Sequence, residues 1–237
     1  MKTFKVFVPV FLALTIIFSS FAPLVSTAEN ISEKVLRLHI LANSDSSYDQ
    51  DVKLGLRNYF LENTDDIFIG KSVEENVEIA NQNIDYIEDI CNEYLQQYNQ
   101  SAEVFVVKEY FSTRVYDDFT LPAGYYNSIK IEIGEGKGHN WWCIVFPSVC
   151  LSSCSTSMND YLTDDEMELL ESGYTPKFKI IEIYEKIKCR LENKSALNIN
   201  KNQLINGAGG GTRTHTPGWI TDFESVSSAN SDTPASI

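Results

Sequence analysis

The stretch from Gly134 to Cys150, GEGKGHNWWCIVFPSVC, gathers most of the reactive residue types in the chain. Three alternating glycines with Lys137 suggest a cradle for phosphate. His139, Cys143, Cys150 and Cys154 are possible metal ligands. Trp141 and Trp142 suggest a contact surface. Each chemistry sets its own conditions. A phosphate cradle needs its glycines to open a helix, whose N-terminus stabilises the anion. Here a strand pattern follows, the spacing is G-x-G-x-G, and no Gly-Lys-Ser/Thr occurs. Zinc sites favour cysteine pairs two to four residues apart, and only Cys150 and Cys154 approach that. No metal and no cofactor is expected, and no small-molecule substrate. What remains is the turn of a β-hairpin. Gly136 and Gly138 permit close backbone approach, Lys137 and Asn140 keep the turn polar, and the two tryptophans point to opposite sides of the strand. One can join the core; the other needs cover or a partner.

A hydrolase needs a nucleophile held beside a base. The chain has three histidines, His39, His139 and His215. A Ser-His-Asp set can be drawn from Ser44, His39 and Asp45, but Ser44-Asp45-Ser46 reads better as the cap of a helix. There is no G-x-S-x-G elbow and no Asp-Thr/Ser-Gly. Adjacent acids such as Asp117-Asp118 diverge in strands. The expectation is no catalysis. The competing reading is a cell-envelope hydrolase that uses His39 or His139 with nearby acids.

The cysteines favour a disulfide. Cys143 and Cys150 would lie about 23 Å apart in an extended chain, and a bridge needs Cα atoms about 5.5 Å apart. The chain would have to turn, and Pro147-Ser148 is where it can. Cys91, on an apolar helical stripe, is the natural unpaired thiol.

The elements that must position these residues follow from periodicity. Val35–Ala42 alternates as a strand with one buried face, Arg37 and His39 lying opposite Leu36, Leu38 and Ile40. Asn43-Ser-Asp-Ser-Ser47 ends it and supplies capping oxygens for a helix from about Tyr48 to Glu62. Ser72-Val-Glu-Glu75 is a capping box opening one helix of over seven turns, with its apolar stripe running from Val73 to Tyr98. Strands follow at 104–107, 112–116, 128–133 and 140–146, with a turn at Leu121–Gly124. Thr163-Asp-Asp-Glu166 is a second capping box, and a last helix starts near Phe178. The class is α+β: two layers, a mixed and mostly antiparallel sheet, helices on one face.

The ends decide the compartment. Met1–Lys5 is basic, Val6–Phe21 is almost wholly apolar, and Ser26-Thr27-Ala28 has the small-x-small pattern. Together they read as a secretory signal over 1–28, with an uncleaved anchor as the rival. Residues 29–193 make one domain. The net charge is −14 and becomes −16 once Lys2 and Lys5 are removed. So acidic a chain has too few cations to bind nucleic acid. Residues 194–237 read as a disordered tail rich in Gly, Ser, Thr and Asn. Within it, Gly-Thr-Arg-Thr can be encoded antisense to the conserved arm of a transfer RNA gene, so we read the tail as a frame that ran past its stop, and assign Arg213 and His215 no role.

Several long motifs carry a resemblance. They are Arg37-Leu-His-Ile-Leu-Ala-Asn-Ser-Asp-Ser46 with Asp49, Gln50 and Lys53, Leu121-Pro-Ala-Gly124, Ile133–Cys143 and Phe146–Cys150. From about Val35 to Leu191 the chain resembles the stage II sporulation protein R family. The resemblance implies a secreted signalling protein of endospore formers, exported from the forespore to the space between the two membranes. There it would trigger a membrane-embedded aspartic protease that matures the precursor of the mother-cell sigma factor. The tail beyond Lys201 departs from the family. Polar turns at strand ends carry function on a rigid sheet, so two patches are expected to meet the partner. One holds Arg37, His39, Asn43, Ser44, Asp45 and Asp49. The other holds Gly136, Lys137, Gly138, Asn140, Trp141 and Trp142.

Overall fold

A computed structural model describes residues 2–64, 66–116, 118–147 and 158–206. The chain begins with α1 (Lys2–Glu33), then β1 (Leu36–Leu41), α2 (Ser47–Asn63), α3 (Val73–Gln82) and α4 (Ile84–Leu95). Strands β2 (Ala102–Phe111), β3 (Arg114–Val115), β4 (Thr120–Leu121), β5 (Gly124–Ile133) and β6 (Asn140–Phe146) follow, and α5 (Asp164–Glu171) and α6 (Pro176–Asn206) close it. The main sheet has the order β2-β5-β1-β6. β1 runs parallel to β5 and antiparallel to β6, and β2 is antiparallel to β5. The α+β class and the mixed sheet are therefore as the pattern predicts.

On one face, Leu36, Leu38 and Ile40 of β1 and Ile129, Ile131 and Ile133 of β5 pack with Val52, Leu56 and Phe60 of α2 and Ile87, Cys91 and Leu95 of α4. Periodicity sets these partners. Ser46 caps α2 by accepting the Asp49 amide at 3.1 Å, and Ser72 caps α3 by accepting that of Glu75 at 3.2 Å. Glu75 reaches back to the Lys71 amide rather than to Ser72. The expected single long helix is two. Asn83 leaves helical geometry (φ −111°, ψ 16°) and its side chain bonds the Ile79 carbonyl at 2.8 Å. The helix breaks there while the apolar stripe runs on into α4.

The other face differs from expectation. It is covered too, by the end of α1, by α5 and α6, and by the β3–β4 ribbon. Ala28, Ile31, Phe111, Tyr126, Ile144, Leu170 and Phe178 form this second cluster. Helices thus lie on both faces, and β1 is buried on both sides, Arg37 included. The cover comes from the two ends of the chain, which no local pattern in β1 announces. Thr163 and Glu166 form a complete capping box at α5, and Glu166 also takes Lys34 at 2.7 Å. The expected cleavage point after Ala28 falls inside α1, where Ala28 is 3% exposed and Glu29 accepts Lys188 at 2.6 Å. Among the described residues no helix is long and apolar enough to cross a membrane. α6 runs on to Asn206, past the expected domain end. The tail from 207, with Arg213 and His215, lies outside the described residues.

Candidate functional site

The glycine-rich loop is not a hairpin turn. β1 lies between β5 and β6, so residues 134–139 must cross over the end of β1. There they meet the Asn43–Asp45 turn. The turn of one expected patch, Asn43–Asp49, and the loop of the other, Gly136–Asn140, form one joint.

Its hydrogen bonds account for every amide of the crossover. The amides of Gly134, Glu135 and Gly136 donate to Ser101 O at 2.8 Å, Asn43 Oδ1 at 3.0 Å and Ile133 O at 3.0 Å. Those of Lys137, Gly138 and His139 donate to Asn43 O at 3.3 Å, Ala42 O at 2.8 Å and Asp45 Oδ1 at 2.7 Å. No amide is left to hold a phosphate, so the glycines serve the crossing itself. Gly134 and Gly136 have φ near +60°, which side chains resist. Gly138 has another reason: a Cβ there would run into the Ser44 carbonyl and come within 2.8 Å of the Ala42 methyl.

Below the crossover, Asp49 holds the turn. It is 6% exposed and accepts from Ser44 Oγ at 2.5 Å, Gln100 Nε2 at 2.7 Å and Asn43 Nδ2 at 3.1 Å. The Ser44 hydroxyl, then Gln100 and Asn43, hold its carboxyl below the usual range against the opposing effect of burial. Lys53, 4% exposed, donates to His139 O at 2.8 Å and Gln50 Oε1 at 2.6 Å. Burial pulls its amine down to about 8, the Asp45 carboxylate pulling the other way. His139 Nδ1 pairs with Asp45 at 2.5 Å. The exposed rim is Asp45 to Tyr48 with Gly134, Glu135 and Lys137.

Arg37 and His39 lie deeper, on the second face. Arg37 is wholly buried, so no partner touches it. Its guanidinium sits 4.1 Å over the Phe111 ring and donates to Tyr116 Oη at 2.9 Å. Nε and Nη1 have no hydrogen-bond partner among the described residues. His39, 8% exposed, bonds Glu109 at 3.0 Å and Asn140 Oδ1 at 2.8 Å and stacks on Trp142. Neither tryptophan stands open. Arg57 covers Trp141 at 4.9 Å and Arg114 covers Trp142 at 3.6 Å. Sequence reasoning named Lys53 only within a motif and missed Glu109, Gln100 and Arg114 altogether. Each reaches the site from another element, where nothing local marks it.

The candidate catalytic set does not assemble. Ser44 donates to Asp49, Asp45 pairs with His139, and His39 is engaged by Glu109 and Asn140. Cys143 is disulfide-bonded, while Cys150 and Cys154 lie outside the described residues. Cys91 is a free, buried thiol, and burial pushes it up to about 12, which leaves it inert.

A mixed α+β sheet with a glycine crossover locked onto an Asn-Ser-Asp turn is the architecture in hand, and comparison gives it a family. The chain belongs to the stage II sporulation protein R family, whose model matches residues 32–156. It is 37% identical to the stage II sporulation protein R of Bacillus subtilis (strain 168) over 123 residues, 51% of this chain and 55% of that protein. The chain thus spans about half the length of the curated relative it matches. No solved structure matches it.

Proposed function

We propose that this chain is a non-catalytic, extracytoplasmic signal of sporulation that activates a membrane-embedded aspartic protease, and so leads to processing of the mother-cell sigma factor precursor. One observation carries the reading. In the joint, the groups that could do chemistry are bound to one another, and what they build is a rigid exposed rim. Such a rim suits recognition. It acts on a protease only by binding one of its states better than another, since a ligand of equal affinity for both shifts nothing.

The test is co-expression of the full chain with the protease and the precursor in a host that does not sporulate. Precursor cleavage should need both proteins. Doubling Glu135→Ala with Lys137→Ala, both exposed, should reduce it without changing the melting temperature. Cleavage by this chain in the absence of the protease would sink the proposal. The hydrolase reading keeps one observation in its favour, the His39–Glu109 pair, which resembles a base with its orienting carboxylate. His39→Gln distinguishes the two: an activator tolerates it once folded, and a hydrolase does not.

A further inference from the structure

α2 and α4 pack side by side, and their shared outer edge, continued by the 3-10 turn Gln96–Tyr98 after α4, carries tyrosines in ring contact. Tyr48 meets Tyr98 at 6.2 Å, Tyr98 meets Tyr94 at 5.4 Å, and Tyr94 meets Tyr59 at 5.3 Å. The Tyr94 and Tyr98 hydroxyls are 3.1 Å apart. Tyr48 and Tyr86 are 55% and 57% exposed, and Tyr86 of α4 lies within electrostatic reach of the Tyr59 hydroxyl. The sequence of α2 is fitted to this arrangement. Gly55, in mid-helix, leaves room for Tyr94; a Cβ there would strike its hydroxyl and approach its Cζ to 2.9 Å. Glycine inside a helix costs about 1 kcal/mol against alanine, and the Tyr94 ring occupies the space it leaves.

The charges that α2 and α4 place beside the rings are acidic. Asp51 and Glu62 fall on the same side of α2 as Tyr48, Gly55 and Tyr59 by helical spacing, and both are exposed. On α4, Glu93 bonds the Tyr59 hydroxyl. α4 contains no Lys, Arg or His. The two cations of α2 point elsewhere, Lys53 to His139 O and Arg57 to Trp141.

We propose that this tyrosine-lined edge of α2 and α4 binds a lysine- or arginine-bearing segment of a partner protein. Cations sit favourably over electron-rich ring faces, and flanking carboxylates add charge-assisted hydrogen bonds. Tyrosine supplies large contact area with few rotamers to freeze. A second copy of the chain fits poorly, because it would set Asp51, Glu62 and Glu93 against their own equivalents. An anionic lipid surface is repelled for the same reason. The inference does not depend on the activator reading: peptide binding tests this edge, and precursor cleavage tests that function.

The experiment uses the full chain in non-ionic detergent and a fluorescent twelve-residue peptide of alternating arginine and glycine, titrated by anisotropy at 150 mM salt. The wild type should bind. Tyr48→Ala with Tyr86→Ala, both exposed, should weaken binding at least ten-fold with unchanged melting. Glu74→Gln with Glu78→Gln, which removes two exposed charges from α3, should change it less than two-fold. No binding, equal loss in both variants, or a dimer that the tyrosine changes dissolve would each overturn the proposal.

Discussion

Strand β1 and the joint just beyond its end are held by different forces. In β1, Leu36, Leu38 and Ile40 are fully buried among apolar neighbours from α2, α4 and β5. Their contribution is non-directional and scales with area. In the joint, Ala42–Asp49 against Gly134–Asn140, order comes from directed hydrogen bonds and from the absence of side chains at the crossing. A core of the first kind tolerates a change of shape and resents loss of volume. A joint of the second kind resents a single added methyl. The difference shows how one strand can end in a site: packing fixes β1, and β1 then presents fixed carbonyls and a capped turn for a distant loop to grip.

The largest expected effect falls in the strand. Leu38→Ala should cost about 3 kcal/mol, the transfer loss plus the cavity left behind. Leu38→Met, which keeps the volume, should cost less than about 1.5 kcal/mol. Denaturant melts of the two variants measure both. Equal costs would mean that β1 is not held by packing.

Next comes the joint. Gly138→Ala adds one methyl against the Ser44 carbonyl, which is backbone and cannot swing aside; a cost of about 2 kcal/mol is expected. Gly136→Ala is the control. Its φ is +60°, but a Cβ would find ordinary contact with Glu132 at 3.5 Å, so only backbone strain of about 1 kcal/mol applies. If position 136 proves the more sensitive, backbone conformation governs the crossing and close approach does not.

These two regions were unequally legible in the sequence. The alternation of Leu36, Leu38 and Ile40, and of Ile129, Ile131 and Ile133, announced one face of the sheet because strand period is a local property. The cap at Ser46 was legible for the same reason. The joint was not, since Asn43 and Glu135 are 92 residues apart and only the insertion of β1 between β5 and β6 brings them together. With the strands taken as neighbours, the glycines could only be read as a hairpin. Arg37 misled similarly. A cation opposite leucines reads as solvated, whereas α1, α5, α6 and the rings of Phe111 and Tyr126 bury it. Of the twelve residues named for partner contact, eight lie in the joint; Arg37 and His39 lie deeper in β1, Arg37 is sealed from any partner, and both tryptophans are roofed by arginines.

Acid should dissolve the joint's advantage and leave the strand's intact. Asp49 has its carboxyl lowered, chiefly by the Ser44 hydroxyl. A depressed acid contributes stability that is complete above its unfolded value of about 3.9 and disappears as pH falls through the folded value. Wild type should therefore melt above Asp49→Asn at pH 7, and the gap should close on the way to pH 2. Leu38→Ala should show a gap that pH leaves unchanged. A constant gap for Asp49→Asn would show that the carboxylate is dispensable and that its shape alone matters.

The last effect runs the opposite way in pH. Lys53 is pulled down to about 8 by burial, while the unfolded chain keeps a lysine near 10.4. Between these values the unfolded state binds more protons than the folded one, so stability rises with pH. The rise reverses the usual behaviour of a paired surface lysine, because here folding penalises the charged form. A neutral amine still has two hydrogens, enough for His139 O and Gln50 Oε1. Lys53→Met removes the titrating group, and every other lysine and tyrosine titrates alike in both proteins. The difference in melting temperature between wild type and Lys53→Met should therefore widen in favour of wild type from pH 7.5 to 10. A flat difference would mean that Lys53 reaches water in the folded protein, and the crossover would then rest on its own amide bonds to Ser101, Asn43, Ile133, Ala42 and Asp45.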